Sequence, residues 1–358
     1  MNKLRVGFYS HTVDFAGTWR SHERLAQEVS NNDGFKTFVL YCENIENNRL
    51  AEARLALPKT TFVPFARSLE KTGFETGYTP RSTNFSEVAR SLNLDVLHFA
   101  RTGYYEWPFT ERLAKLQVET NIFGCDDTSP FLDKSIAIAS VLTQIKKRPA
   151  DAVIPNPIPG RSPDYDSLSD LRQELGYSTG DVVLGRIGRP ANFHPAALES
   201  FAALSKSQKN LRYLIVGGCE EAKRFVSSRG LDSVVTFVPP TNDDVWIERF
   251  HKTVDVFAHY RSDGEIHSTA IAQAMMYDIP VVTHRAGLNG QIETVGPGGY
   301  CATNEDDYLG ALRGLTLCSP ERRKMIGTKG RRYTEDRSEQ KLVGGLVASK
   351  YLDWSLSP

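Results

Sequence analysis

Apolar residues in this chain fall into two alternating patterns. Short runs rich in β-branched and aromatic residues recur from end to end: LRVGFYS, KTFVLYC, TTFVPF, LDVLHF and VETNIF, then VVLGRI, LRYLIVGG, SVVTFV, VDVFAHY and IPVVTH. Several are almost continuously apolar over strand length, which suits strands covered on both faces. Between them the spacing changes to a helical period. SHERLAQEVSNN puts Leu25, Ala26 and Val29 on one stripe, and HPAALESFAALSKS does the same with Ala197, Leu198, Phe201 and Leu204. Alternation of this kind predicts an α/β chain, with doubly wound parallel sheets and helices on both sides.

The pattern pauses once. AVIPNPIPGRSPDYDSLSD carries four prolines between Ile154 and Asp170. Proline fixes φ and removes a donor, so the stretch is expected to be a linker rather than a buried element. It divides the chain into an N-terminal domain, 1–157, and a second α/β domain, 158–335. A helical segment, 336–358, follows; its central Gly344 and Gly345 weaken the helix on propensity alone. Two α/β units usually enclose a cleft, and ligands bind at the carboxyl ends of the strands.

Composition narrows the function classes. The chain has 358 residues, 40% hydrophobic and 24% charged, and 43 Lys plus Arg balance 43 Asp plus Glu. No global field favours nucleic acid or an anionic membrane. Lys146-Lys147-Arg148 and Arg322-Arg323-Lys324 read as solvated helix faces, with peripheral membrane contact left open. Five cysteines, Cys42, Cys125, Cys219, Cys301 and Cys318, are widely spaced with no C-x-x-C. That argues against a disulfide framework or a zinc site and fits a reducing cytosol. MNKLRVGFYSHTVD is too short in apolar run for a signal peptide, and no stretch reaches the roughly 18 apolar residues of a membrane helix. The expectation is a cytoplasmic protein.

Four loops carry candidate chemistry. Gly17, with Thr18 beside it, stands between the first strand and its helix, where glycine lets backbone approach a ligand and a helix N-terminus favours anions. The bland alternative is a turn; G-x-G-x-x-G is absent, so there is no dinucleotide fingerprint. In VVLGRIGRP, Arg186 and Arg189 end a strand and can hold a diphosphate by bidentate bonds, or form surface salt bridges. Gly217-Gly218 end another strand, either for close approach or as a plain turn. The fourth is SDGEIHSTAIAQAMMYDIPVVTHRAG. Here Ser268 is the expected N-cap, followed by Thr269, with Ile271, Ala274 and Met275 on the buried face and Pro280 beyond the helix. Free amides at Ser268 and Thr269 would face the loop bearing Glu265. Amides for phosphate beside a carboxylate for hydroxyls match a sugar diphosphate; otherwise Glu265 is a capping charge.

Together these residues resemble a GT-B glycosyltransferase, most like the retaining family 4 enzymes (glycosyl transferases group 1), over nearly the full length. The family shows a serine, then Glu-Gly-Phe-Gly, a helix ending Glu-Ala-Met-Ala, then Gly-x-Pro-Val-Val. This chain has Ser262, Glu265 and Ser268, then Gln273-Ala274-Met275 and Asp278-Ile279-Pro280-Val281-Val282. Glu265 to Gln273 keeps the spacing of the family's E-x7-E pair. IGR at 187–189, IVGG at 215–218, VIPNPI at 153–158 and Ala16-Gly17 match further landmarks. The resemblance implies two Rossmann-like domains facing across a cleft, with the C-terminal helix returning to the N-terminal domain. It gives Glu265 the donor-sugar hydroxyls, Gln273 the ribose, Arg189 and then Arg186 the diphosphate, and Gly17 a place beside the phosphates. Asn289 and Gln291 join the donor-binding set in GLNGQIE, where the family commonly has Gly-Gly-x-Pro-Glu. The chain departs from the family in several places. PANFHP offers Asn192 and His194 in place of a lysine. Ala100, then Arg101, stand where many members have a histidine. Asp278 takes a usual glycine position.

What the resemblance implies is transfer of a sugar, with retention, from a UDP- or GDP-sugar to a hydroxyl of a carbohydrate, lipid-linked or other acceptor. The transition state is oxocarbenium-like. Arg189, Arg186 and the Ser268 and Thr269 amides would stabilise the leaving diphosphate, Glu265 would orient the sugar, and domain closure would exclude water. No Asp-x-Asp lies at a strand end, and Asp126-Asp127 and Asp243-Asp244 read as loop or helix-start charges. No metal and no cofactor are expected. GYYEWPFTERL, Gly103 to Leu113, is a candidate acceptor surface or a helix start with core aromatics. The alternatives are a GT-B epimerase or phosphorylase and a non-catalytic sugar-nucleotide-binding partner subunit, the latter suggested by the missing lysine and histidine and by Gln273 and Gln291 standing where the family has glutamates.

Overall fold

The computed structural model describes residues 3–10, 17–43, 47–71, 78–82, 84–101, 111–124, 129–145, 149–189 and 194–356. Contacts divide the chain into two units, Met1–Pro157 with Ser338–Pro358, and Ile158–Arg337.

In the first unit the elements run β1 (Leu4–Ser10), α1 (Gly17–Asn31), β2 (Phe35–Cys42), α2 (Asn47–Ala56), β3 (Thr61–Phe65), β4 (Arg67–Lys71), β5 (Tyr78–Ser82), α3 (Phe85–Ser91), β6 (Val96–Arg101), β7 (Leu116–Asn121), β8 (Lys134–Ala137), α4 (Val141–Ile145) and β9 (Ala152–Val153). Among the described residues, one parallel sheet has the order β3-β2-β1-β6-β7-β8-β9, and β4 and β5 form a separate antiparallel hairpin that the apolar pattern does not announce. Strand alternation sorts the core onto two faces. Val6, Phe8 and Val96 pack with α1 on one side, while Tyr9, Leu97 and Phe99 pack with α3 on the other.

The second unit runs β10 (Val182–Ile187), α5 (Pro195–Ser205), β11 (Leu211–Val216), α6 (Glu220–Ser228), β12 (Val235–Val238), α7 (Asp244–Thr253), β13 (Val256–Ala258), α8 (Thr269–Met276), β14 (Val281–His284), α9 (Gly290–Val295), β15 (Gly299–Ala302), α10 (Glu305–Leu317) and α11 (Pro320–Ser338). Its parallel sheet has the order β12-β11-β10-β13-β14-β15. The order reverses beside β10, because β11 lies on one side of it and β13 on the other. Such a reversal leaves a crevice at the carboxyl ends of the central strands.

One expectation changes. The proline-rich stretch is not a free linker. Ile154, Asn156, Ile158 and Tyr165 are buried. Arg161 binds the Asp278 carboxylate and donates to Met276 O, and the Ser162 amide and hydroxyl bind the Glu248 carboxylate. Proline had removed donors, but the intervening side chains supply the ties that hold the segment down. The last helix, α12 (Gln340–Leu356), packs on α1, burying Val343, Val347, Ala348 and Tyr351. Its Gly344 is a contact surface: a Cβ there would lie 2.1 Å from Glu28 Cβ. Among the described residues no helix is long and apolar enough to cross a membrane.

Candidate functional site

The site grows from the pairing of β13 with β14. Phe257 lies opposite Val281 and Ala258 opposite Val282, and the His259 amide continues the ladder to Val282 O at 2.8 Å. Side chains alternate from there. Ala258 and Tyr260 join the cluster containing Tyr213 and Tyr308, while Phe257 joins the cluster containing α8. Tyr260 stacks on His284, 3.5 Å between centroids, and on His194, which caps α5 by accepting from the Ala196 amide. His259 turns the other way. Its Nδ1 is 2.8 Å from Thr283 Oγ1 and its Nε2 is 3.4 Å from Glu265 Oε1. Arg261 Nη1 lies 3.3 Å from the other Glu265 oxygen, and Arg261 is itself held by both oxygens of Asp263.

Backbone contact fixes the loop that carries Glu265. Gly264 has φ +69° and Gly287 φ +56°. A Cβ on Gly264 would lie 1.9 Å from Ala286 O, and one on Gly287 would lie 2.0 Å from Asp263 O. No L side chain fits such a contact, so glycine on both loops lets them touch along the main chain. Gln291 ties the same loops together. It is fully buried, accepts from the Glu265 amide at 3.0 Å, and donates to His284 O at 2.7 Å and Ala286 O at 3.1 Å.

Ser268 is the N-cap of α8, its hydroxyl accepting from the Ile271 amide. Its own amide is not free, contrary to expectation: it donates to Thr294 Oγ1 at 3.3 Å, because α9 packs against α8 and brings Thr294 to the loop. The amides of Thr269 and Ala270 have no acceptor among the described residues. They form the open positive end of the helix.

Burial keeps the nearby imidazoles neutral. It lowers His259, against the pull of Glu265, and lowers His267 and His284 to about 4. Arg261 lowers Asp263. Arg261 and Asp263 are thus held as an ion pair beside Glu265. The Glu265 side chain stays 21% exposed, so it can still accept from hydroxyl groups.

The other sequence candidates are placed as follows. Arg186 is 2% exposed, beside Tyr213 and Tyr308, and burial lowers its pKa. Arg189 is exposed in the loop after β10. Gly217 and Gly218 have packing reasons of their own: a Cβ would lie 2.1 Å from Gly188 O in the first case and 2.5 Å from the Phe237 ring in the second. Gln273 is half-buried on α8, and Asn289 is exposed at the start of α9 with φ +60°. Asp278 adopts φ +58°, the left-handed geometry its glycine-like position asks for. Gly17 and Thr18 open α1, and residues 11–16 before them lie outside the described residues, as do Asn192, Asp126-Asp127, Lys146-Lys147-Arg148 and Gly103 to Thr110. The structure thus gathers Glu265, Ser268, Thr269 and Gln291. It adds His259, Arg261 and Thr283, which sequence reasoning passed over. Their signals were a polar His-Tyr-Arg ending an apolar strand and the matched glycines of SDGE and RAGLNG.

Residues 158–333 match the family model described as Glycosyl transferases group 1. The comparison with curated proteins finds no match. Among solved structures, the chain is similar to a glycosyltransferase from Rickettsia africae (TM-score 0.75, 13% identity, 100% of each chain). It is also similar to Anabaena HepE in complex with UDP and glucose (TM-score 0.69, 15% identity, 97% of this chain and 99% of that one). A third is sucrose-phosphate synthase from Thermosynechococcus elongatus (TM-score 0.69, 15% identity, 98% and 99%). At these identities the likeness is one of fold: two parallel-sheet α/β domains, as in GT-B glycosyltransferases.

Proposed function

With a Glycosyl transferases group 1 domain at residues 158–333, we propose that the protein moves a sugar from a UDP- or GDP-sugar to an acceptor hydroxyl, retaining the anomeric configuration. The observation that carries this reading is the placement of Glu265. A braced, partly exposed carboxylate stands four and five residues before the open amides of Thr269 and Ala270. In this reading Glu265 accepts from the sugar hydroxyls and those amides, with Arg189, meet the diphosphate. As the glycosidic bond breaks, negative charge grows on the leaving diphosphate, and donors already in place stabilise it without reorganisation. Structures of HepE hold UDP and UDP-glucose, which makes uridine donors the first to test. We assign the donor to the domain at 158–335 and the acceptor, a carbohydrate, lipid-linked or other hydroxyl, to the domain at 1–157. The helix at 336–358 joins the latter, and the protein works in the cytoplasm.

A thermal-shift screen over nucleotide sugars, followed by product analysis, tests the reading. Free nucleoside diphosphate should form only when acceptor is present, and the product linkage should keep the donor's configuration. Because guanidinium and peptide groups supply the positive charge, chelation with EDTA should leave the rate unchanged. Nucleoside diphosphate release with no glycoside formed would point to another reaction.

A further inference from the structure

We propose that His259 is a positioning residue, which holds the Glu265 carboxylate in one orientation through a hydrogen-bond chain beginning at Thr283. The inference rests on the reading that Glu265 grips the donor sugar, and it adds the residues that aim it.

The polarity of the chain follows from what each group can do. A carboxylate only accepts, so the His259 nitrogen facing Glu265, Nε2 at 3.4 Å, must carry the hydrogen. The ring is neutral, because burial outweighs the pull of Glu265 and the Arg186 and Arg261 charges push the same way. Nδ1 is then an acceptor, and the Thr283 hydroxyl at 2.8 Å donates to it. Thr283 O–H gives to His259, and the His259 N–H faces the Glu265 carboxylate at 3.4 Å. Both His259 and Thr283 are buried, on adjacent parallel strands whose ladder fixes their backbones. The Thr283 side chain is β-branched and stiff at χ1.

The second oxygen is held separately. Arg261 reaches Glu265 Oε2 at 3.3 Å and is anchored by Asp263. Each oxygen thus has one protein nitrogen within ion-pair reach, and the partly exposed carboxylate keeps room to accept from a ligand. A free glutamate side chain samples many rotamers, and ordering it on binding costs affinity; holding it beforehand removes that cost. A buried histidine with no such role would need only a hydrogen-bond partner for one nitrogen. Here one nitrogen is fixed by a buried hydroxyl and the other is aimed at the one partly exposed carboxylate of the loop before α8.

Calorimetry with UDP and GDP, alone and as their glucose, galactose, mannose and N-acetylglucosamine esters, tests the proposal. The ratio of affinities for sugar nucleotide and bare nucleotide isolates the sugar's share. Glu265→Ala should abolish the preference of the best pair. His259→Leu should reduce it about ten-fold, the scale of a hydrogen bond to a charged group, and leave bare nucleotide binding unchanged. His259→Gln, which keeps an N–H near the Nε2 position, should restore most of it, and Thr283→Val should act like His259→Leu. If His259→Leu fails to fold, Thr283→Val carries the test. Should Glu265→Ala lose the preference while His259→Leu and Thr283→Val keep it, the positioning role is overturned and the donor reading stands. A loss of bare nucleotide binding in equal measure overturns it too. If wild type shows no sugar preference with any pair, or Glu265→Ala leaves it intact, the donor reading itself falls.

Discussion

Gln291 donates where a glutamate could only accept. Its Nε2 serves two carbonyl oxygens, those of His284 and Ala286, and its Oε1 takes the Glu265 amide. Glu is expected here from the family pattern, and the geometry explains why this chain has an amide: a buried carboxylate would face two carbonyls with no proton to offer. Gln291→Glu should therefore lower stability by about 2 kcal/mol or more, since it leaves buried acceptors unmet and adds a buried charge. Urea unfolding measures this, and an unchanged midpoint would contradict the brace. Much of this was illegible in the sequence. Glu265 and the Ser268 cap could be read from local chemistry, because loop, cap and apolar period are contiguous. His259, Thr283 and Gln291 meet only through the register of β13 with β14 and the packing of the two glycine loops, which no local pattern encodes.

Adjacent glycines in α12 separate propensity from packing. Gly344 faces α1 with no room for a methyl group, its Cβ falling 2.1 Å from Glu28 Cβ, whereas Gly345 has nothing within 4 Å. Gly344→Ala should destabilise by about 1–3 kcal/mol through overpacking. Gly345→Ala should stabilise by roughly 0.5–1 kcal/mol through helix propensity. Thermal unfolding of the two variants decides, and shifts of the same sign would refute the assigned contact. Sequence reading treats both glycines as weakness, because periodicity says where a helix runs and not how near its neighbour lies. The proline-rich segment misleads in the same way. Its prolines mark a boundary correctly, and the ties from Arg161 and Ser162 to Asp278 and Glu248 are long-range.

For the whole molecule, buried histidines set the acid limit. Burial lowers His22 to about 4 and His251 to about 3, and holds His98 well below the usual range. Neither nitrogen of His251 has a hydrogen-bond partner among the described residues; its ring stacks on Tyr277 at 4.6 Å. Folded pKa values lie below the unfolded value of 6.5, so the unfolded chain binds more protons as pH falls. Stability is therefore full above about pH 6.5 and falls through the window down to about 4 for His22 and 3 for His251. Each contributes on the order of 1 kcal/mol per pH unit. Urea unfolding at pH 7.5 and 5 should show the loss, and His251→Phe should flatten the slope by one proton; an unaltered slope would contradict its neutral burial. At this scale the sequence was most legible. Strand-length apolar runs alternating with helical stripes predict two parallel α/β units, and those are present. The central claim is that a nucleotide sugar lies at the carboxyl ends of β10, β13 and β14, its ring against Glu265. A crystal structure with the nucleotide sugar that calorimetry selects tests it most directly. The account expects a sugar hydroxyl within hydrogen-bond distance of Glu265 and the diphosphate at the Thr269 and Ala270 amides; a ligand bound clear of both would contradict it.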